Sequence, residues 1–202
     1  MARPRSTDKR NAILAAASRV MGELGLSAPT ARIAREAGVA EGTLFTYFAS
    51  KDVLLNELYL ELKDGLRLAM LGGYPAAASL EERARHAWSG YVAWGLAHPQ
   101  ERKVMARLTL SDKVTPETRV TGTAAFNAIT VALGEVTAAG PMAAQGERFV
   151  GAIMTSLADT TIEFVAAYPD KASEYAEAGF RAVWLVASGQ PTCNEVSGKG
   201  SA

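Results

Sequence analysis

Residues 30–59 read TARIAREAGVAEGTLFTYFASKDVLLNELY. Ile33, Ala34 and Ala37 fall on one face of a short helix whose first turn suits Pro29, with Ser27 or Ala28 as its cap. Gly38 breaks the run, as a tight turn between two helices requires. Val39 follows to plug the angle, and a second short helix is expected over residues 40–48, with Leu44 and Phe48 on its inner face. Ser50 is an N-cap for a longer helix, with Asp52 favourably placed in its first turn. Leu54, Leu55, Leu58, Leu62 and Leu66 form the apolar stripe of that helix, which is expected to stop at Gly72, Gly73 and Pro75.

Working outward, residues 7–24 carry Ile13, Ala16, Ala17, Val20, Met21 and Leu24 with a period near 3.6, so a helix precedes the quoted stretch. Residues 1–6 read as a short flexible arm with Arg3 and Arg5. Downstream, helices are expected over residues 80–97, 99–110, 116–139, 143–168 and 170–187, bounded by Pro99, Pro116, Gly140-Pro141 and Pro169. Residues 190–202 read as a disordered tail rich in Gly and Ser. No strand pattern or internal repeat appears. The fold class is therefore all-α. An N-terminal three-helix domain (1–50) is joined through the long fourth helix to a helical body (51–189).

The chain has 202 residues and a net charge of +0, but the charge is unevenly placed. Residues 1–51 hold 8 basic and 4 acidic side chains, and the remainder holds 13 and 17. A basic head on an acidic body presents the head to a polyanion. Helix, glycine turn and short helix form a unit that can place its second helix in the major groove of DNA, although any three-helix packing unit also shows such glycines and leucines. Cys193 is the only cysteine, and His86 and His98 are the only histidines, so no metal site or cofactor is expected. No segment has 18 uninterrupted apolar residues, and the start lacks a secretory apolar run, so a cytoplasmic protein without membrane contact is expected.

Ile33-Ala34, Ala37-Gly38-Val39, Gly42-Thr43-Leu44, Tyr47-Phe48, Lys51-Asp52 and Leu54 together closely resemble the DNA-binding domain of the TetR family of bacterial one-component regulators, over roughly residues 9–60. The resemblance implies an all-helical homodimer whose body binds a small molecule that switches DNA affinity. It also implies double-stranded operator DNA as partner and, by the family's habit, a repressor on a palindromic site. Position by position, it assigns phosphate contacts to Thr43 and Tyr47 on the recognition helix and to Lys51 at the next helix start. Lys9, Arg10 and Arg32 (or Arg35) add electrostatic grip, and Thr46 also lies on the recognition helix. Phe45 stands where the family usually has tyrosine, so a hydroxyl contact is lost and contact with a thymine methyl or a sugar becomes an option. Glu41 either accepts from a cytosine amino group, pairs with a neighbouring arginine, or is an ordinary first-turn acid.

In the body, Trp88, Tyr91 and Trp94 share helical faces three residues apart. They either line a small-molecule cavity, with Met70, Met105, Phe126 and Met154 as adaptable walls, or are simple core. A mainly apolar, small effector is the expectation. The last two long helices are the expected dimer surface. Gly151, Ala152, Ala158, Ala172, Ala176, Ala178 and Gly179 would permit close approach, and Phe180, Val183, Trp184 and Val186 would fill the interface unless they are core. An enzyme is disfavoured, because the chain has no Gly-rich phosphate loop, nucleophile elbow or metal set. A helical scaffold without DNA binding is the other alternative, against which Thr43, Tyr47 and Lys51 speak.

Overall fold

The computed structural model describes residues 6–138 and 140–192, except for the side chains of residues 147 and 148. The expected arm at residues 1–5 and the expected tail from Cys193 onward lie outside the described residues. Ten α-helices follow in order: α1 Thr7–Leu24, α2 Thr30–Glu36, α3 Glu41–Tyr47, α4 Lys51–Leu71, α5 Leu80–Ala97, α6 Pro99–Leu110, α7 Pro116–Ala124, α8 Asn127–Thr137, α9 Glu147–Ala167 and α10 Ala172–Ser188. A 3-10 turn, Pro169–Lys171, precedes α10. The described residues contain no strand, and the fold is all-helical. Gln190–Thr192 continue the folded chain rather than opening a loose tail, since Thr192 is only 1% exposed.

Two compact units are present. One comprises the chain up to Gly65 with His98–Ala125, and the other comprises Leu66–Ala97 with the chain from Phe126 on. The first unit is built on α1, whose Ile13, Leu14, Ala16, Ala17, Val20 and Met21 are buried. Gly25 ends α1 at φ +84°, a left-handed value that only glycine adopts cheaply. That helix end is also held from α6, where Arg107 Nη1 donates to Met21 O at 2.8 Å and Gly22 O at 3.3 Å. Arg10 reaches from α1 to α4, paired with Glu57 and, at 3.8 Å, with Glu61. Asn56 on α4 holds the α6–α7 connection. Its amide donates to Lys113 O at 2.8 Å, and its oxygen accepts from Thr115 N at 2.9 Å.

In the second unit, Trp88, Val92, Ala158, Ile162 and Phe180 form the core where α5, α9 and α10 meet. Helices cross closely there because glycine occupies the crossing points. A Cβ at Gly90 would lie 2.3 Å from the Ala69 carbonyl oxygen, so α4 runs directly against α5. A Cβ at Gly179 would lie 2.2 Å from Thr161 Oγ1 and 2.8 Å from the Trp88 ring.

Three boundaries differ from the sequence reading. Pro29 is the N-cap residue of α2 rather than its first turn, and Thr30 begins the helix. The proline already holds the extended ψ of 137° that a cap needs, and its carbonyl accepts from Arg32 N and Ile33 N. The expected helix over 116–139 is two helices, broken at Ala125-Phe126. Gly122 packs against the Tyr59 ring in the first unit, whereas α8 belongs to the second. The expected helix over 143–168 begins later, at Glu147, after Gly146 at φ +78°.

Candidate nucleic-acid interface

The segment from α2 to the start of α4 is set by its buried face. Ile33, Ala34, Leu44 and Phe48 are all buried, which fixes α3 across α2. Gly38 turns the chain at φ +67°, and Val39 N donates to Ala34 O at 2.9 Å to close the turn. With Leu44 and Phe48 inward, the opposite face of α3 carries Glu41, Gly42, Phe45 and Thr46, all exposed. Phe45 is 42% exposed, an aromatic ring that the fold leaves in solvent.

The residues expected to hold phosphates flank this face. Thr43 is half-buried on α3. The Tyr47 hydroxyl accepts from Ser6 N at 3.0 Å, which ties the start of α1 to the recognition helix and leaves the phenolic proton for a further acceptor. Lys51 sits at the first turn of α4, where Ser50 Oγ caps the helix by accepting from Val53 N at 3.2 Å. Its ammonium donates to Ala28 O at 2.7 Å. Two further protons remain on that nitrogen. Partial burial pulls the Lys51 pKa below its ordinary 10.5, against the opposing pull of Asp52. Lys9 and Arg32 are exposed on α1 and α2.

Three of the expected contact residues have partners within the fold. Arg10 is committed to Glu57 and Glu61, so its charge is neutralised within the fold. Glu41 Oε1 accepts from Thr30 Oγ1 at 2.5 Å, which holds the carboxylate toward the start of α2 rather than pairing it with an arginine. Thr46 spends its hydroxyl on Gly42 O at 3.1 Å.

In the second unit, Trp88 is 8% exposed and its indole N–H donates to Ala176 O at 3.2 Å. Its polar handle is thereby satisfied, and the ring is core. Tyr91 packs against the same core and donates to Asp159 Oδ1 at 3.4 Å. Trp94 is buried. Met70, Phe126 and Met154 belong to this unit and are half-buried. Met105 does not join them, because it is buried on α6 in the first unit. The sequence reading missed Asp159 as a partner of Tyr91. The signal was its place between Ala158 and Ile162, on the stripe of α9 that meets α5. One open groove lies in the first unit, lined by α4 and the α6–α7 connection. It includes Asp52, Asn56, Glu57, Lys113 and Thr118, and none of the expected effector residues.

Several residues of the expected dimer surface pack within the chain instead. Phe180, Val183 and Trp184 pack into the protomer's own core, with Trp184 stacked on Phe180 at 6.3 Å. Ala158 is buried and Gly179 is consumed by the contact with Thr161 and Trp88. On the same two helices, Phe149, Phe164 and Leu185 are about half exposed. Among the described residues, one helix segment, Phe149–Ala167, is long and apolar enough to cross a membrane, and only 28% of it is buried within the chain.

Comparison with known proteins agrees with this geometry. Residues 13–58 match the family model described as bacterial regulatory proteins, tetR family. The chain is similar over 89% of its length to a tetR family transcription regulator from Shewanella sp. PV-4, covering 97% of that chain at 26% identity with a TM-score of 0.76. It shares its fold with a TetR family regulator from Marinobacter aquaeolei VT8, at 22% identity and a TM-score of 0.71, over 89% of this chain and 95% of that one. It shares it also with LfrR from Mycobacterium smegmatis, solved in complex with proflavine, at 20% identity and a TM-score of 0.63, over 92% and 98%. All three are described as transcription regulators. With its helix-turn-helix on residues 30–47, the segment 13–58 carries the DNA-binding domain described for bacterial regulatory proteins of the tetR family, and the chain as a whole is similar in fold to transcription regulators of that family.

Proposed function

We propose that the protein is a ligand-responsive repressor that works in the cytoplasm, binds a palindromic operator as a homodimer, and is released by a small, mainly apolar molecule. The observation that carries the DNA half is the two-sided recognition helix. Leu44 and Phe48 are fully buried, the opposite face is exposed, and Thr43, Tyr47 and Lys51 stand at its margins with donors to spare. Thr43, Tyr47, Lys51, Lys9 and Arg32 hold phosphates, and Phe45, Thr46 and Glu41 face the groove.

The dimer half rests on α9 and α10. Phe149, Phe164 and Leu185 leave apolar area in water that a second copy would cover. Two-fold symmetry then matches a palindrome with half-sites about 34–36 Å apart. The effector half rests on the aromatic core of the second unit, where Tyr91 and Asp159 supply a polar pair and Trp94 follows Tyr91 three residues on along α5. LfrR, with the same fold, was crystallised with proflavine, an aromatic compound.

Fluorescence anisotropy of a labelled duplex taken from a random library tests the whole reading. Two chains bind per duplex, and an effector lowers the affinity, with proflavine as the first probe. A single chain per duplex at saturation contradicts the homodimer.

A further inference from the structure

The seven residues of α3, EGTLFTY, and the flanking Ala40, Phe48 and Ala49 contain no Arg, Lys, Asn or Gln. Those four side chains make the bidentate hydrogen bonds by which a recognition helix reads guanine or adenine in the major groove. Three of the polar side chains that α3 carries make hydrogen bonds within the protein. Glu41 accepts from Thr30 Oγ1 at 2.5 Å, Thr46 donates to Gly42 O at 3.1 Å, and Tyr47 accepts from Ser6 N at 3.0 Å. Beyond the Glu41 carboxylate at its first turn, what the outward face offers is apolar: the Phe45 ring, 42% exposed, and the carbon atoms of exposed Thr46. Gly42 lies on the same face with nothing within 4 Å of the place a Cβ would take, so a groove wall can approach the helix backbone closely.

One feature of the major groove matches such a face: the C5 methyl group of thymine, the single apolar group displayed by the four bases there. We infer that α3 reads its half-site chiefly through thymine methyl groups, contacted by Phe45 and Thr46, while the cations of α1, α2 and α4 grip the backbone. This rests on the DNA-binding reading above and adds the chemistry of the bases recognised. The half-site is then rich in thymine opposite Phe45. Specificity comes from shape and methyl contact rather than from hydrogen bonds to guanine.

Deoxyuridine tests this directly, because it keeps every hydrogen-bonding group of thymine and lacks only the methyl. The full-length chain is used to select duplexes from a random library, and the enriched sequence is remade with each half-site thymine replaced in turn by deoxyuridine. The inference expects about a fourfold loss of affinity for each contacted methyl, the worth of one methyl leaving water. Phe45→Ala should abolish that loss at the positions Phe45 contacts, so that its affinities for the thymine and deoxyuridine forms of the site become equal there. Because Phe45 is exposed, this variant keeps the fold, which circular dichroism checks. Unchanged affinity for the uracil-containing site would overturn the inference and leave DNA binding intact. A half-site with no thymine would do the same. Failure to enrich any duplex would overturn both readings.

Discussion

At the scale of single residues, Lys51 concentrates the argument. Its ammonium is already bonded to Ala28 O, and burial favours its neutral form. A phosphate at the same nitrogen would favour the charged form, so the bound pKa exceeds the free one. The complex then holds more protons than the free protein. Affinity is therefore full at pH below the free pKa and falls as pH rises through it toward 10.5. Wild-type affinity should decline on the alkaline side, and Lys51→Arg should flatten that decline, as titrations of labelled duplex would show. Lys51→Ala should weaken specific and random duplexes by similar factors and reduce the salt slope by about 1. An unchanged slope would remove Lys51 from the contact set.

At the scale of elements, the crossings and the exposed faces make separate predictions. Gly90→Ala places a methyl 2.3 Å from a backbone carbonyl that cannot turn away. A loss of about 1–3 kcal/mol is expected in denaturant melts. Leu185→Glu should yield a folded monomer by sedimentation, since Leu185 is 52% exposed. Trp184→Glu should instead lower stability, because Trp184 packs on the Phe180 core. A stable Trp184→Glu monomer would return that side chain to the interface. The sequence made the helices legible because their apolar period is strong, and α1, α5 and α6 have the boundaries that Thr7, Leu80 and Pro99 suggest. The turn at Gly38 and the cap at Ser50 were legible because few residue types serve there. Which face of α10 turns inward was not, since Phe180, Trp184 and Leu185 are all apolar and only the position of α5 and α9 distinguishes them. The break after Ala124 was hidden because no proline marks it between Pro116 and Pro141. Arg10 read as a free cation because its partners, Glu57 and Glu61, lie a whole domain away in sequence.

At the scale of the whole molecule, α4 is the element shared by both units, with Lys51 in the first and Leu66–Leu71 in the second. Its far end lies against Gly90 of α5, between Trp88 and Trp94. We propose that effector binding at α5 displaces that end and, through the continuous helix, disturbs the Lys51 end. A 100-fold release needs about 2.7 kcal/mol of coupling, and the same factor must appear as weaker effector binding to the DNA complex. Equal effector affinity with and without saturating operator would exclude release by that route.

Sequence-specific DNA binding through α3 can be checked by selecting from a random duplex library with the 202-residue chain. Wild type should enrich a two-fold symmetric sequence with half-site centres about one helical turn apart, and Tyr47→Ala, correctly folded, should enrich it weakly or not at all. A wild-type chain that enriches no sequence, or a Tyr47→Ala variant that enriches the same one equally well, would contradict it.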